Sequence, residues 1–259
     1  MAADAVLSPT GFSAYRRNLA ELTSHQKAKR GAPPYSLLVN RPLGRHIAAL
    51  AHVIGLSPNQ ISMLSAAVSA SGLVTIAWAR PTAMSATAAV FLLLLGYAID
   101  SADGQLARLT SGGTLAGEWL DHCLDMVKMA SFHAVILVSA YRFGADLGTW
   151  PMITAVVFGV VAVSSFFVLI LTDQLRRQAG GSGPARPSSA GFLLLAAPTD
   201  YGVQCLWLLA RPWETVFFAG YLLLAVANLG YLAVGSVSRF RQLVALDTER
   251  AGGSPGATS

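Results

Sequence analysis

Charged residues are scarce in this sequence. Only 12% of its 259 residues are Asp, Glu, Lys or Arg, and 54% are hydrophobic, whereas soluble domains carry about 25% charged residues. This shortage excludes an ordinary soluble protein. The chain is long enough for about six membrane spans of ~20 residues each. We therefore predict an all-α integral membrane protein with one helical domain.

Cysteine is also nearly absent. Cys123 and Cys205 both lie in apolar stretches, so they predict neither a disulfide framework nor a pair of metal ligands. The net charge is +5, which in a soluble protein would raise nucleic acid as a partner. Here the basic residues flank apolar segments, where anionic lipid headgroups and membrane topology explain them. We expect membrane lipids as partners and no nucleic acid.

The amino-terminal part differs from the rest. Residues 1–40 are polar and basic and predict a loosely ordered cytoplasmic segment. In residues 41–56 the apolar side chains share one helix face, and Arg41 and Arg45 lie on another. This pattern predicts an amphipathic helix that lies on the membrane surface.

Long apolar segments fill most of the chain beyond residue 56. We predict six transmembrane helices at about 60–79, 84–102, 117–141, 150–172, 190–210 and 214–237. Together with the amphipathic helix they form a membrane domain over residues 41–240. Residues 241–259 form a Gly- and Ser-rich tail that we expect to be disordered.

The distribution of basic residues predicts the orientation. With the amino terminus in the cytoplasm, the outer side receives only Arg80, Arg142 and Arg211. The cytoplasmic side receives the amino-terminal cluster together with Arg108, Arg176, Arg177, Arg186, Arg239, Arg241 and Arg250. By the positive-inside rule, we predict a multi-pass protein of the plasma membrane with both termini in the cytoplasm.

Acidic residues are few, yet five of the 13 lie between Asp100 and Asp125. Carboxylates at membrane depth are costly and usually functional. Asp100 and Asp103 are three residues apart, and Asp121 and Asp125 are four apart, so each pair shares one helix face. A short turn between the two helices brings all four carboxylates together near the cytoplasmic surface.

Four carboxylates in one cleft repel one another unless cations are bound. Hard oxygen ligands suit Mg²⁺, Mn²⁺ or Ca²⁺, and two such ions are the usual clamp for displacement at phosphorus. Gly104, Ala107 and Gly117 are small residues near the acids, where a flat base or a phosphate can approach the backbone. Arg108 lies one turn beyond Gly104 and suits a phosphate.

These residues form one spaced motif, Asp100-x2-Asp103-Gly104-x2-Ala107-Arg108-x8-Gly117-x3-Asp121-x3-Asp125. The motif resembles the signature of the CDP-alcohol phosphotransferase (phosphatidyltransferase) family. Pro58-Asn59-x2-Ser62 also looks like a family element. The resemblance implies transfer of a phospho-alcohol group from a CDP-alcohol donor, such as CDP-diacylglycerol, to an acceptor hydroxyl with release of CMP. It also implies a homodimer.

The resemblance implies a role for each matching residue. Two divalent cations, Mg²⁺ or Mn²⁺, would be bound by Asp100, Asp103, Asp121 and Asp125. Asp125 would also be the catalytic general base on the acceptor hydroxyl. The CDP moiety would contact Asn59, Ser62, Asp100, Asp103, Gly104, Ala107, Arg108 and Gly117.

The acceptor half of the chain departs from known branches of the family. Met126 follows the last aspartate, where branches that use glycerol phosphate often carry Lys. The basic run of inositol-phosphate branches is also missing. Candidates for acceptor binding are Lys128, Arg176 and Arg177, although Lys128 also suits an ion pair with Asp125 and the two arginines also suit topology markers.

The sequence leaves open the roles of three further acidic residues and two alternative functions. Glu118 is a fifth ligand, a solvated residue at the membrane interface or a hydrogen-bond partner of a ligand. Asp173 and Asp200 are expected to line the same polar cavity. The alternative functions are transfer from a soluble CDP-alcohol to a lipid or glycan acceptor, and a non-enzymatic cation pathway lined by the aspartates.

Overall fold

The computed structural model describes residues 9–24, 33–110, 113–180 and 190–252. Over these residues the chain is helical, with no β-strand. The α-helices are α1 (Pro9–Ser24), α2 (Arg41–Val53), α3 (Pro58–Trp78), α4 (Ala83–Leu109), α5 (Leu115–Phe143), α6 (Trp150–Gln178), α7 (Ala190–Ala196), α8 (Tyr201–Trp207) and α9 (Glu214–Gly252). A π-helical segment (Ser36–Asn40) precedes α2, and 3-10 turns lie at Ala145–Leu147, Ala197–Thr199 and Leu208–Ala210.

Local sequence signals explain where the helices of the site begin. Ser57 forms a capping box with Gln60 at the start of α3, with proline at the first helical position. This arrangement satisfies backbone N–H groups that the helix itself leaves unpaired. Thr114 caps α5 by accepting a hydrogen bond from Gly117 N at 3.0 Å.

Within the described residues, five helices are long and apolar enough to cross a membrane: α3, α4, α5, α6 and α9. The predicted all-helical membrane fold is therefore confirmed, but the predicted span at 190–210 is not one continuous helix. It is divided between α7, the 3-10 turn Ala197–Thr199 and α8. Pro198 cannot donate a backbone hydrogen bond, and Asp200 caps α8 by accepting from Gly202 N at 3.0 Å.

Two segments expected to lack order are helical. The predicted loosely ordered residues 1–40 contain α1, which packs on α2 through Leu22, a side chain only 4% exposed. The Asn18 amide also lies 3.0 Å from His52 Nδ1 on α2. At the other end, α9 continues through the predicted disordered tail as far as Gly252, and residues 253–259 lie outside the described part.

Close contacts between α3 and α4 position the site. A Cβ added at Gly96 would come within 2.2 Å of Ser69 Oγ, so only glycine allows the two helices to approach this closely. Ser65 Oγ donates to Gly96 O at 2.9 Å in the same region. Asp100 lies one turn beyond Gly96, and this packing brings it next to α3.

The helix α2 lies against α4. Its buried face consists of small residues, Gly44, Ala48, Ala49 and Ala51, whereas Leu43 and Leu50 are exposed. A helix therefore lies where the amphipathic helix was predicted, with Leu43 and Leu50 exposed. Its position on the membrane surface stays a prediction.

Candidate active site

Three of the four predicted metal ligands form a tight cluster between α4 and α5. One carboxylate oxygen from each of Asp100, Asp103 and Asp121 lies within 4.8 Å of the others. The spacing within α4 puts Asp100 and Asp103 on one face, and α5 brings Asp121 opposite them. Three converging carboxylates provide hard oxygen ligands, so the cluster fits a divalent cation.

Side chains of α3 hold the carboxylates of α4 in place. Ser62 Oγ donates to Asp103 Oδ2 at 2.6 Å, and Ser65 Oγ donates to Asp100 Oδ1 at 3.3 Å. The Gly104 N–H donates to the second Asp103 oxygen. These hydrogen bonds orient each carboxylate before a ligand arrives, which limits the reorganisation that binding requires.

Asp125 lies in a different arrangement from the other three. Its Oδ1 is 2.7 Å from Lys128 Nζ, and the same ammonium group is 3.0 Å from Asp100 Oδ1. Lys128 thus links α5 to α4. Of the two roles that the sequence allowed for Lys128, acceptor binding and an ion pair with Asp125, the structure contains the ion pair. Asp125 lines the same cavity as the other three but stands outside their cluster.

The cavity in front of these acids has a volume of about 220 Å³. It is lined by Leu22, Arg41, Asp100, Ser101, Asp103, Gly104, Gln105, Arg108, Asp121 and Asp125. Leu22, Arg41, Ser101 and Gln105 were not predicted from the sequence. Leu22 lies in a segment whose composition predicts loose order, and Arg41 lies outside the signature motif.

Of the predicted CDP-binding residues, Asp100, Asp103, Gly104 and Arg108 line this cavity, whereas Asn59, Ser62, Ala107 and Gly117 do not. A Cβ added at Gly104 would meet only Arg108 Nη1, at 3.8 Å, so the backbone there is open to a ligand. A Cβ added at Gly117 would come within 3.1 Å of Asn59 Oδ1, so the start of α5 packs closely on the start of α3. Ala107 is half-buried on α4 and is not one of the lining residues.

The predicted acceptor-binding arginines lie apart from the cavity. Arg177 Nη1 is 2.5 Å from Glu118 Oε1, and Gln174 Nε2 donates to the same oxygen at 3.3 Å. Glu118 therefore belongs to a polar group between α5 and α6, and not to the carboxylate cluster. Arg176 is the neighbour of Arg177 at the end of α6 and likewise does not line the cavity.

The expectation that Asp173 and Asp200 line the same cavity is wrong. Asp173 is exposed on α6. Asp200 is 1% exposed and accepts hydrogen bonds from Tyr35 N at 2.7 Å and Ser36 N at 3.1 Å. It connects the segment before α2 to the break between α7 and α8, which is a structural role.

Comparisons with known proteins agree with the site. Residues 55–237 match the CDP-alcohol phosphatidyltransferase family. The fold is similar to that of Mycobacterium tuberculosis phosphatidylinositol phosphate synthase, solved with CDP-DAG bound, at a TM-score of 0.50 and 19% sequence identity. The alignment covers 79% of this chain and 93% of that chain. No curated protein matches the chain.

The family match spans the signature, both helices that supply the aspartates, and α6, α8 and most of the membrane part of α9. The structural likeness supports the same fold, and the carboxylate cluster lies where the signature predicts it. The chain therefore belongs to the CDP-alcohol phosphatidyltransferase family and is an enzyme that transfers a phospho-alcohol group from a CDP-alcohol to an acceptor hydroxyl.

Proposed function

We propose that the donor is CDP-diacylglycerol and that the product is a phospholipid or a phospholipid precursor. The carboxylate cluster of Asp100, Asp103 and Asp121 beside Arg108 in one cavity supports a donor with a cation-bound diphosphate. The bound CDP-DAG in the structurally similar synthase supports the choice of donor. The apolar surface of the helices also suits a donor that is itself a membrane lipid.

In the proposed mechanism, two divalent cations, Mg²⁺ or Mn²⁺, would be held by Asp100, Asp103, Asp121 and Asp125. The bound cations would supply positive charge that stabilises the phosphates during displacement. Arg108 contacts the diphosphate, and the bare backbone at Gly104 leaves room for the nucleotide. Asn59, Ser62, Ala107 and Gly117 complete the CDP site.

The reaction is a displacement at the phosphorus that bears the alcohol. The acceptor oxygen forms a new bond to this phosphorus, and the bond from phosphorus to the CMP oxygen breaks. Asp125 accepts the proton of the acceptor hydroxyl as general base. Lys128 holds the Asp125 carboxylate in position. Lys128 therefore contributes to acceptor binding by positioning Asp125. Arg176 and Arg177 lie outside the cavity, and the acceptor-binding role expected for them stays a prediction.

A direct assay separates the proposed donor from a water-soluble CDP-alcohol. Purified protein is given CDP-diacylglycerol or a soluble CDP-alcohol with a panel of hydroxyl acceptors, and CMP release is measured. We expect release from CDP-diacylglycerol that stops with EDTA and returns with Mg²⁺ or Mn²⁺. Release from the soluble donor alone would favour the alternative, and full activity after chelation would contradict the metal assignment.

We further propose that the protein spans the plasma membrane with both termini and the active site in the cytoplasm, and that it forms a homodimer. In this arrangement residues 190–210 make the remaining crossing as two short helices. Cysteine introduced at Arg177 should be protected from an impermeant thiol reagent in intact cells, whereas cysteine at the exposed Arg142 should react. The reverse pattern would contradict this orientation. Chemical cross-linking in membranes tests the dimer.

A further inference from the structure

Arg41 lines the catalytic cavity although it lies outside the signature motif. It is the first residue of α2, and it shares the cavity with Asp103, Gly104 and Arg108 of α4. In the sequence it belongs to the polar face of an amphipathic helix, a position typical of a residue that faces solvent or lipid headgroups. The structure instead places it at the wall of the cavity.

Packing between α2 and α4 fixes this placement. A Cβ added at Gly44 would lie 2.8 Å from both Ser101 Oγ and Gln105 Nε2, so the first turn of α2 is pressed directly against α4. Gln105 Nε2 also donates to Arg41 O at 3.2 Å and to Ser101 O at 2.9 Å. The backbone of Arg41 is therefore held at the cavity by a side chain that lines it.

Arg41 and Arg108 differ from Lys128 and Arg177 in having no carboxylate partner among the described residues. Lys128 is bound by Asp100 and Asp125, and Arg177 is bound by Glu118. In the part of the chain that the structure describes, no ion pair joins Arg41 or Arg108 to a carboxylate. Two guanidinium groups on one wall repel each other, and an anion between them would remove this repulsion.

A phosphate group is the anion that this arrangement fits best. Guanidinium groups present planar sets of N–H donors that match phosphate oxygens. The carboxylate cluster on the same cavity would hold the divalent cations, so the diphosphate of the donor would lie beside it. We propose that Arg41 is a donor-binding residue that contacts a phosphate of the CDP moiety together with Arg108. This inference rests on the proposed CDP-dependent function.

The test compares Arg41→Gln with Arg45→Gln. Both substitutions remove one positive charge from α2, but Arg45 lies one turn later and its Nη1 donates to Thr23 Oγ1 at 3.3 Å, away from the cavity. CDP binding is measured by calorimetry with Mg²⁺ present, in a detergent that contains no phospholipid. Thermal unfolding of each variant checks that the protein is folded.

We expect Arg41→Gln to weaken CDP binding by about 10- to 100-fold, the usual value of a hydrogen-bonded charge pair. The CDP affinity of Arg45→Gln should stay within about twofold of the wild type. The CDP affinity of Arg41→Lys should lie between those of Arg41→Gln and the wild type, because lysine keeps the charge but loses the planar donor set. In the transfer assay, Arg41→Gln should raise the donor KM far more than it lowers kcat.

Four results would overturn the inference. CDP affinity of Arg41→Gln within about twofold of the wild type would show that the side chain does not contact the nucleotide. Equal losses of CDP affinity in Arg41→Gln and Arg45→Gln would indicate a general effect of the positive charge on α2. A loss that appears only in bilayers of anionic lipid would assign Arg41 to lipid headgroups. Absence of CDP binding by the wild-type protein would contradict the proposed function itself, and the inference with it.

Discussion

Replacing Lys128 by Met should destabilise the protein when no divalent cation is present. The Lys128 ammonium contacts Asp125 at 2.7 Å and Asp100 at 3.0 Å. Met has a similar length and keeps the apolar stem, but it leaves two neighbouring carboxylates without their shared cation. The cost is then electrostatic, because little packing is lost.

The size of the effect follows from the burial of the three groups. Loss of one partner from a buried ion pair costs about 3–5 kcal/mol. The side chain of Lys128 is 10% exposed, and those of Asp100 and Asp125 are 19% and 26% exposed. Because water still reaches the carboxylates, we expect the lower end, about 3 kcal/mol, which corresponds to a fall in Tm of about 6–12 °C.

Thermal unfolding in detergent with EDTA measures this effect. Arg177→Met is the matched control, because it breaks the ion pair to Glu118 between α5 and α6 where the arginine side chain is 59% exposed. Exposed pairs contribute about 0–1 kcal/mol, so the control should change Tm by at most about 4 °C. Added Mn²⁺ should restore much of the stability of Lys128→Met. An equal Tm for Lys128→Met and wild type in EDTA would refute the reasoning.

Three further substitutions test the site. Asp125→Asn should lower the transfer rate by about 10²–10⁴-fold, since an amide cannot accept the acceptor proton, while CDP affinity changes little. Ser62→Ala removes a 2.6 Å hydrogen bond to a carboxylate of the cluster, and it should weaken Mn²⁺ binding, measured by electron paramagnetic resonance, about tenfold. Gly117→Val brings a side chain against Asn59 and should cost about 1–3 kcal/mol in thermal unfolding. Gly113→Val is its control, because a Cβ there meets nothing within 4 Å.

The carboxylate cluster was predictable because helix geometry fixes which residues share a face. The three-residue spacing of Asp100 and Asp103 places both on one side of α4, and Asp121 meets them because α4 and α5 both pack on α3. The position of Asp125 was less determined. Lys128 has a long side chain with several accessible directions, so only the packed structure decides between an ion pair and the membrane surface.

The break in the predicted fifth span could not be located by hydropathy. Residues 190–210 are apolar on average, and averaging hides the effect of one proline and one capping carboxylate. Asp200 accepts hydrogen bonds from Tyr35 N and Ser36 N, which are distant in sequence. A contact between residues so far apart leaves no pattern in the local sequence. The position of Arg41 at the cavity could not be predicted for the same reason, because it depends on how α2 packs on α4.

The helix α1 was missed for a related reason. Its sequence is polar on average, and polar segments of this length form stable helices in water only marginally. Its stability comes from burial of Leu22 and from the contact of Asn18 with His52 on α2. Tertiary packing therefore provides the stability of α1 that its helix propensity alone does not.

The proposed function requires that the cavity of Asp100, Asp103, Asp121 and Asp125 releases CMP from a CDP-alcohol in a reaction that needs a divalent cation. The most direct measurement is CMP formation by purified wild-type protein and by Asp103→Asn, each with CDP-diacylglycerol and hydroxyl acceptors, in Mg²⁺ and in EDTA. We predict CMP from the wild type in Mg²⁺ alone, and almost none from the variant in either condition. CMP formation by Asp103→Asn at the wild-type rate, or by the wild type in EDTA, would contradict the proposed function.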